Sequence, residues 1–160
     1  MKRKTELNMG KINLSGLVDS SIVDGPGVRF AIYTQGCAHG CIGCHNRDTW
    51  STKINQLYDI DQLVKHIEDE SLSKNVTLTG GDPLLQIDAS YELCKKLKAK
   101  DYNIWLYTGY TIEQIEANQS LSSILEVVDC IVDGRFEQDL KDFSLDYRGS
   151  SNQRIIEIKK

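Results

Sequence analysis

The sequence lacks the features that would direct it to a membrane or to a polyanion. Its longest apolar runs, such as Val28 to Tyr33, are far too short to span a bilayer, and no signal-peptide core follows the basic start. The formal net charge is -4, and the only basic cluster is Lys2 to Lys4. We therefore expect neither a membrane nor a nucleic acid among the partners.

A disulfide framework and a hydrolytic site are missing as well. Five cysteines is an odd number, and three of them lie within eight residues of one another, so we expect no set of paired disulfides. Clustered thiols persist in a reducing compartment, where they bind metal or carry redox chemistry, which predicts a cytoplasmic protein. No Ser-His-Asp or paired-carboxylate arrangement can be assembled from the sequence.

The chain has the length and composition of one domain. It has 160 residues, of which 40% are hydrophobic and 26% charged, and no linker or repeat divides it, so we expect a single domain over residues 1–160. Residue patterns predict strands at Gly16–Asp19, Val28–Thr34, Asn75–Thr79, Ile104–Tyr107, Val127–Val132 and Arg154–Ile158. Apolar periodicity predicts helices around Ile60–Ile67, around Tyr91–Leu97 and over Ile112–Leu125.

The alternation of strands and helices predicts the fold class. Short connections between alternating elements favour parallel strands joined by right-handed crossovers. Four or five such units would form an incomplete barrel, since a closed eight-unit barrel needs about 250 residues. The expected fold is therefore α/β, an incomplete TIM-like barrel of parallel βα units.

Cys37, Cys41 and Cys44 are the strongest chemical signal, in a Gly-, Cys- and His-rich loop that follows a predicted strand. A 4Fe-4S cluster usually takes four cysteine thiolates, one per iron, so three cysteines leave one iron open to an outside ligand. A structural zinc site completed by His39 or His45 is compatible with the same spacing. The cysteines alone leave both interpretations open.

Other residues with chemical potential fall into the predicted elements. Cys94 lies on the apolar face of a helix and Cys130 inside a buried strand, so we interpret both as core residues. The turn Gly80-Gly81-Asp82-Pro83 ends a strand, because it can continue neither a ladder nor a helix. Thr108 follows another strand, at the edge where ligands of parallel sheets bind.

Together these residues resemble the radical S-adenosylmethionine superfamily, whose signature is three cysteines with this spacing. Within that superfamily the chain is similar to the activating proteins of anaerobic ribonucleotide reductases, over about residues 18 to 154. The likeness rests on Asp24-Gly25-Pro26-Gly27 with Arg29, Gln35-Gly36-Cys37, Gly43-Cys44-His45-Asn46, Leu78 to Leu84, Trp105 to Tyr110, Val132 to Phe136, and Tyr147 to Arg154.

The resemblance implies two cofactors and their ligands. Cys37, Cys41 and Cys44 would bind a 4Fe-4S cluster, and S-adenosylmethionine would chelate its open iron. One electron would then cleave S-adenosylmethionine to a 5′-deoxyadenosyl radical, which removes a hydrogen atom from a glycine of the reductase. No catalytic side chain is expected, and the residues implied around S-adenosylmethionine are Gly43, Cys44, His45, Gly80, Gly81, Asp82 and Thr108.

The resemblance also implies partners, namely the large subunit of an anaerobic ribonucleotide reductase and an electron donor such as flavodoxin. An incomplete barrel is open on one side, where a partner can enter. Arg29 and the Arg148 to Arg154 segment either border that opening or contact the partner, or they form a solvated charged patch. Two alternatives stay open: an activating enzyme of another glycyl radical enzyme, such as pyruvate formate-lyase, and a non-catalytic zinc-binding interaction module.

Overall fold

Seven strands form one mixed sheet in the computed structural model, which describes residues 10–44 and 47–159. Their order across the sheet is β3-β1-β2-β4-β5-β6-β7. The bounds are β1 Lys11–Ser21, β2 Arg29–Thr34, β3 Gln56–Asp59, β4 Asn75–Gly80, β5 Asn103–Tyr107, β6 Cys130–Asp133 and β7 Arg154–Glu157.

The centre of the sheet is parallel, as predicted, and its margins are not. Strands β2, β4, β5 and β6 pair parallel in that order, whereas β1 pairs antiparallel with β2 and β3, and β7 pairs antiparallel with β6. The prediction of parallel βα units throughout is therefore wrong at the margins. The connection between β1 and β2 runs only from residue 22 to 28, and a parallel crossover needs about a dozen residues or more.

Three α-helices connect the strands within the described residues: α1 (Ile60–Glu70), α2 (Ile87–Lys98) and α3 (Ile112–Ala117). The Asp59 side chain caps α1 by accepting a hydrogen bond from the amide of Gln62. Short 3-10 turns occur at Arg47–Thr49, Pro83–Gln86, Ser122–Glu126 and Gln138–Leu140. None of the helices in the described part of the chain is long and apolar enough to cross a membrane.

The prediction of one helix over Ile112–Leu125 is wrong in its second half. Helix α3 ends at Ala117, and the side chain of Asn118 accepts a hydrogen bond from the amide of Ser120 at 2.9 Å. Asparagine favours such a turn because its side chain replaces a backbone acceptor. The apolar residue Ile124 still reaches the core, from a 3-10 turn.

The two faces of the sheet differ in character. One face packs against all three helices in a large apolar core, to which the strands contribute Ile12, Leu14, Phe30, Ile32, Val76, Leu78, Ile104, Leu106 and Ile131. The opposite face carries a small cluster of Trp105, Cys130 and Val132, with Tyr107 and Tyr147 packed against it. Because strand side chains alternate between faces, the second face is left for polar and aromatic groups.

Candidate functional site

A cavity of about 680 Å³ lies at the carboxyl edge of the parallel strands. Its walls come from the cysteine loop, from the ends of β4 and β5, and from the segment between residues 134 and 153. This is the edge at which parallel α/β sheets bind ligands. Cys37, Cys41 and Cys44 all line the cavity.

The cysteine loop leaves the end of β2 and is tied to the segment that follows it. The amide of Gly36 donates to the carbonyl of Thr49, and the amide of Cys37 donates to that of Trp50 at 3.2 Å. The side-chain amide of Gln35 donates to the carbonyl of Ser51 at 2.7 Å. These bonds return the chain to the sheet after the loop, which keeps the thiols at the cavity.

The three loop cysteines are reduced and half-buried. Burial raises the pKa of the Cys37 thiol above its ordinary value, since a thiolate is poorly solvated there. Without a metal, this thiol is therefore protonated near neutral pH, and metal binding would release its proton.

The cavity offers a donor set for an iron–sulfur cluster. In a 4Fe-4S cluster each cysteine binds a different iron. The thiols of Cys37, Cys41 and Cys44 line one cavity and would supply three of those ligands.

The glycines of the Gly80–Pro83 turn are required by the protein's own packing. A Cβ at Gly80, where φ is +96°, would lie 2.5 Å from the amide nitrogen of Thr34, and one at Gly81 would lie 2.3 Å from the carbonyl of Gly36. The amide of Gly81 donates to the carbonyl of Thr34 at 2.8 Å. The turn is thus pressed against the chain that leads into the cysteine loop, and it also lines the cavity.

Asp82 is 2% exposed and bonded within the protein. Its carboxylate accepts hydrogen bonds from the amides of Leu84 and Gly109 and from the hydroxyl of Thr108. The ring nitrogen Nε2 of His39 lies 2.5 Å from Oδ2 of the same carboxylate. Thr108 and Asp82 therefore form one buried polar cluster at the cavity wall.

Of the two remaining predicted site residues, only Gly43 is described by the structure. Gly43 packs against the side chains of Gln138 and Phe136, and it does not contribute to the described cavity wall. His45 lies outside the described residues.

The remaining two cysteines are core residues, as predicted. Cys94 is fully buried and Cys130 is 2% exposed. Burial raises the pKa of Cys94 to about 12 and that of Cys130 to about 11.

Several cavity residues escaped prediction. The sequence indicates His39 only as a zinc ligand, and it predicts no place in the cavity wall for Phe136, Phe143 or Tyr147. The motifs Val132 to Phe136 and Tyr147 to Arg154, which the chain shares with the family, are the signal that points to Phe136 and Tyr147. Their position beside the cysteines depends on pairing of β6 with β7.

The fold and the three-cysteine cavity define an iron–sulfur protein with a single cluster. The family model described as a 4Fe-4S single cluster domain matches residues 23–156. A similar chain of Escherichia coli K12 is 35% identical over 86% of this chain and 94% of its own, and one of phage T4 is 36% identical over 90% and 93%. Both are named anaerobic ribonucleoside-triphosphate reductase-activating protein.

The chain belongs to the family of anaerobic ribonucleoside-triphosphate reductase-activating proteins. A third relative with this name, from Pasteurella multocida, is 36% identical over 85% of this chain and 91% of its own. Among solved structures, QueE from Escherichia coli matches with a TM-score of 0.54 and 18% identity, over 69% of this chain and 59% of that one. At that identity the likeness concerns the fold alone.

Proposed function

We propose that this protein activates an anaerobic ribonucleotide reductase by generating a glycyl radical on its large subunit. The observation that carries the proposal is the convergence of Cys37, Cys41 and Cys44 with the Gly80–Asp82 turn on one cavity. The names of the relatives indicate the target.

Cys37, Cys41 and Cys44 would hold the 4Fe-4S cluster, and the open iron would receive S-adenosylmethionine. When bound, the two cofactors supply the reductive cleavage that yields a 5′-deoxyadenosyl radical. Gly80, Gly81 and Thr108 line the cavity beside the thiols, which supports their predicted role at S-adenosylmethionine. Gly43, His45 and Asp82 belong to the same proposal as residues predicted by resemblance, Asp82 as part of the turn that lines the cavity.

The chain's own contribution is to position the cofactors and to exclude water. Aromatic side chains of Phe136 and Tyr147 form part of the cavity wall. The Trp105 and Tyr147 rings pack edge to face, with centroids 5.7 Å apart. A wall of this kind lowers the local dielectric and keeps solvent from a reactive species.

The finer architecture belongs to the same proposal. The parallel strand order β2-β4-β5-β6 and the packing of all three helices on one face support an incomplete TIM-like barrel formed by a single domain. We also infer a cytoplasmic protein, because five cysteines that form no disulfide suit a reducing compartment. An electron donor such as flavodoxin would reduce the cluster.

An anaerobic assay tests the proposal. The reconstituted protein, mixed with a reductant, S-adenosylmethionine and the reductase, should release 5′-deoxyadenosine and produce a glycyl radical signal in electron paramagnetic resonance. Iron content should be about four per chain. A radical formed on pyruvate formate-lyase and not on the reductase would show that the proposed target is wrong. A colourless protein with tightly held zinc would show that the protein is not the proposed enzyme.

Cysteine variants supply the matched controls. Substitution of Cys37, Cys41 or Cys44 by Ala should abolish both the cluster and 5′-deoxyadenosine formation. Cys94→Ala should retain both, because that thiol is fully buried in the core. Loss of the cluster in Cys94→Ala, in a protein that still folds, would contradict the assignment of three ligands.

A further inference from the structure

His39 connects the cysteine loop to the turn after β4. Its imidazole Nε2 lies 2.5 Å from Oδ2 of Asp82, and the two side chains are 6% and 3% exposed. The ring packs edge-on against Tyr110, with centroids 4.9 Å apart. Gly109 makes room for it, since a Cβ at that position would lie 2.5 Å from Cδ2 of His39. The ring is therefore enclosed on several sides.

The acceptor capacity of Asp82 is used within the protein. The amide of Leu84 donates to Oδ1 at 2.9 Å, the amide of Gly109 donates to Oδ2 at 3.0 Å, and the Thr108 hydroxyl lies 3.0 Å from both oxygens. With His39 these are four donors, and a carboxylate has about four lone-pair sites. No further strong donor is needed to satisfy this carboxylate.

The side-chain length of Asp82 fits this internal role. Asp82 caps the 3-10 turn Pro83–Gln86 by accepting from the amide of Leu84. A glutamate would extend its carboxylate one methylene further from the backbone. The shorter aspartate keeps its oxygens beside its own turn, where the His39 ring meets them.

We propose that the pair of His39 and Asp82 is a loop latch, which holds the loop from Cys37 to Cys44 against the ends of β4 and β5 before any cofactor binds. The inference rests on the proposed function, because the latched loop is the proposed cluster site. In this role Asp82 is a positioning residue, which acts through His39 on the cysteine loop.

The latch is tested first in the protein without cluster, by the rate at which iodoacetamide modifies Cys37, Cys41 and Cys44 under anaerobic conditions, read by peptide mass spectrometry. His39→Ala should accelerate modification about tenfold, because a buried bond to a carboxylate that restrains loop opening is lost. His39→Gln, which retains a donor, should restore most of the protection. His66→Ala, at an exposed histidine on α1, should match the unsubstituted protein.

A double variant separates the latch from a direct ligand role of Asp82. If the two residues act as one unit, Asp82→Asn should also accelerate modification, and the pair His39→Ala with Asp82→Asn should add little to either single change. Circular dichroism confirms that each variant is folded. Equal modification rates in all folded variants would overturn the latch.

Affinity for S-adenosylmethionine in the reconstituted protein completes the test. Loss of affinity in Asp82→Asn with an unchanged modification rate in the cluster-free protein would make Asp82 a ligand contact and would also overturn the proposal. A protein that takes up no iron would refute the proposed function, whereas the modification rates would still report on the latch. The two failures are therefore distinguishable.

Discussion

The guanidinium of Arg29 donates from Nε to the hydroxyl of Thr77 over 2.8 Å, within the polar face of the sheet. Its other nitrogens donate to Asn103 and to two backbone carbonyls, and the Trp105 ring centroid lies 5.6 Å away. Arg29 is 1% exposed, and burial lowers its pKa from the ordinary value. The sequence left open whether Arg29 borders the opening, and the structure instead gives it an internal, structural role.

Replacing Arg29 by Lys should destabilise the protein. The ammonium group of lysine lacks the planar fork of a guanidinium and cannot reach the same acceptors. The buried hydroxyl of Thr77 and the buried carbonyl of Val76 would therefore lose this donor, at a cost of about 2 kcal/mol or more. Urea unfolding of the cluster-free protein at pH 7 measures this. Arg135→Lys, at an exposed arginine, should change the free energy of unfolding by less than about 0.5 kcal/mol. Equal stability of the two variants would contradict the role of Arg29.

Arg154 likewise makes its contacts within the chain. It donates from Nη2 to the buried carboxylate of Asp133 and to the exposed carboxylate of Glu113, both at 2.6 Å. Hydrogen bonds from Arg154 lower the pKa of Glu113 from 4.5 to about 2. The ion pair of Arg154 with Glu113 joins β7 to the start of α3.

The Glu113 pair predicts a specific loss of stability in acid. A carboxyl group whose pKa is lower in the folded state stabilises the protein above its unfolded pKa, and this contribution disappears as the pH falls toward the folded value. The stability difference between the unsubstituted protein and Glu113→Gln should be constant above about pH 5 and should shrink between pH 4.5 and about 2. Urea unfolding across that range tests it, with Glu116→Gln on the same helix as a control. A stability difference between the two proteins that does not change with pH would contradict a stabilising ion pair of Glu113 with Arg154.

Local patterns in the sequence predicted the helices and strands whose own residues show a regular spacing of apolar side chains. Helix α1 was predicted because Ile60, Leu63, Val64 and Ile67 recur at helical spacing, and all four are buried. Strand β3 (Gln56–Asp59) was missed because it is a marginal strand without a fully buried face. Its formation depends on pairing with β1, which is distant in sequence.

In the candidate site, too, local patterns predict some residues, whereas others come together only through contacts between distant parts of the chain. The three cysteines and the Gly80–Pro83 turn are both contiguous motifs. Residue spacing singled out the cysteines, whereas the resemblance implied the place of the turn in the site. The contact of His39 with Asp82 joins residues 43 positions apart. No local pattern predicts such a contact, because it depends on the parallel pairing that brings the ends of β2 and β4 together.

Two tyrosines on the polar face of the sheet should respond differently to loss of their hydroxyl groups. The Tyr33 hydroxyl donates to Asp24 at 2.9 Å, and burial followed by this bond raises the pKa of Tyr33 to about 12. The buried Tyr107 hydroxyl has no hydrogen-bond partner among the described residues. Tyr33→Phe should therefore cost about 1.5 kcal/mol, and Tyr107→Phe should be neutral or slightly stabilising.

Urea unfolding of the cluster-free variants compares the two tyrosines directly. The substitutions are chemically identical, so each serves as the control for the other. A cost for Tyr107→Phe equal to that for Tyr33→Phe would show that the Tyr107 hydroxyl is bonded in solution.

Substitutions in the Gly80–Pro83 turn test whether packing within the protein or contact with a ligand requires glycine at these positions. Gly81→Ala would place a Cβ 2.3 Å from the backbone carbonyl of Gly36, where no flexible side chain can move aside. We expect a loss of about 3 kcal/mol in the cluster-free protein, or failure to fold. Gly16→Ala in β1 meets no atom within 4 Å and should be neutral or stabilise the strand by up to about 1 kcal/mol.

Gly80→Ala extends the test, because it adds backbone strain at a φ of +96° to a contact of 2.5 Å with the amide nitrogen of Thr34. It should destabilise the cluster-free protein at least as much as Gly81→Ala. If both variants unfold like the unsubstituted protein but bind S-adenosylmethionine poorly once reconstituted, glycine is required at these positions for ligand binding. Destabilisation without any cofactor means that contact between the turn and the cysteine loop already selects glycine, since no ligand contributes to that measurement.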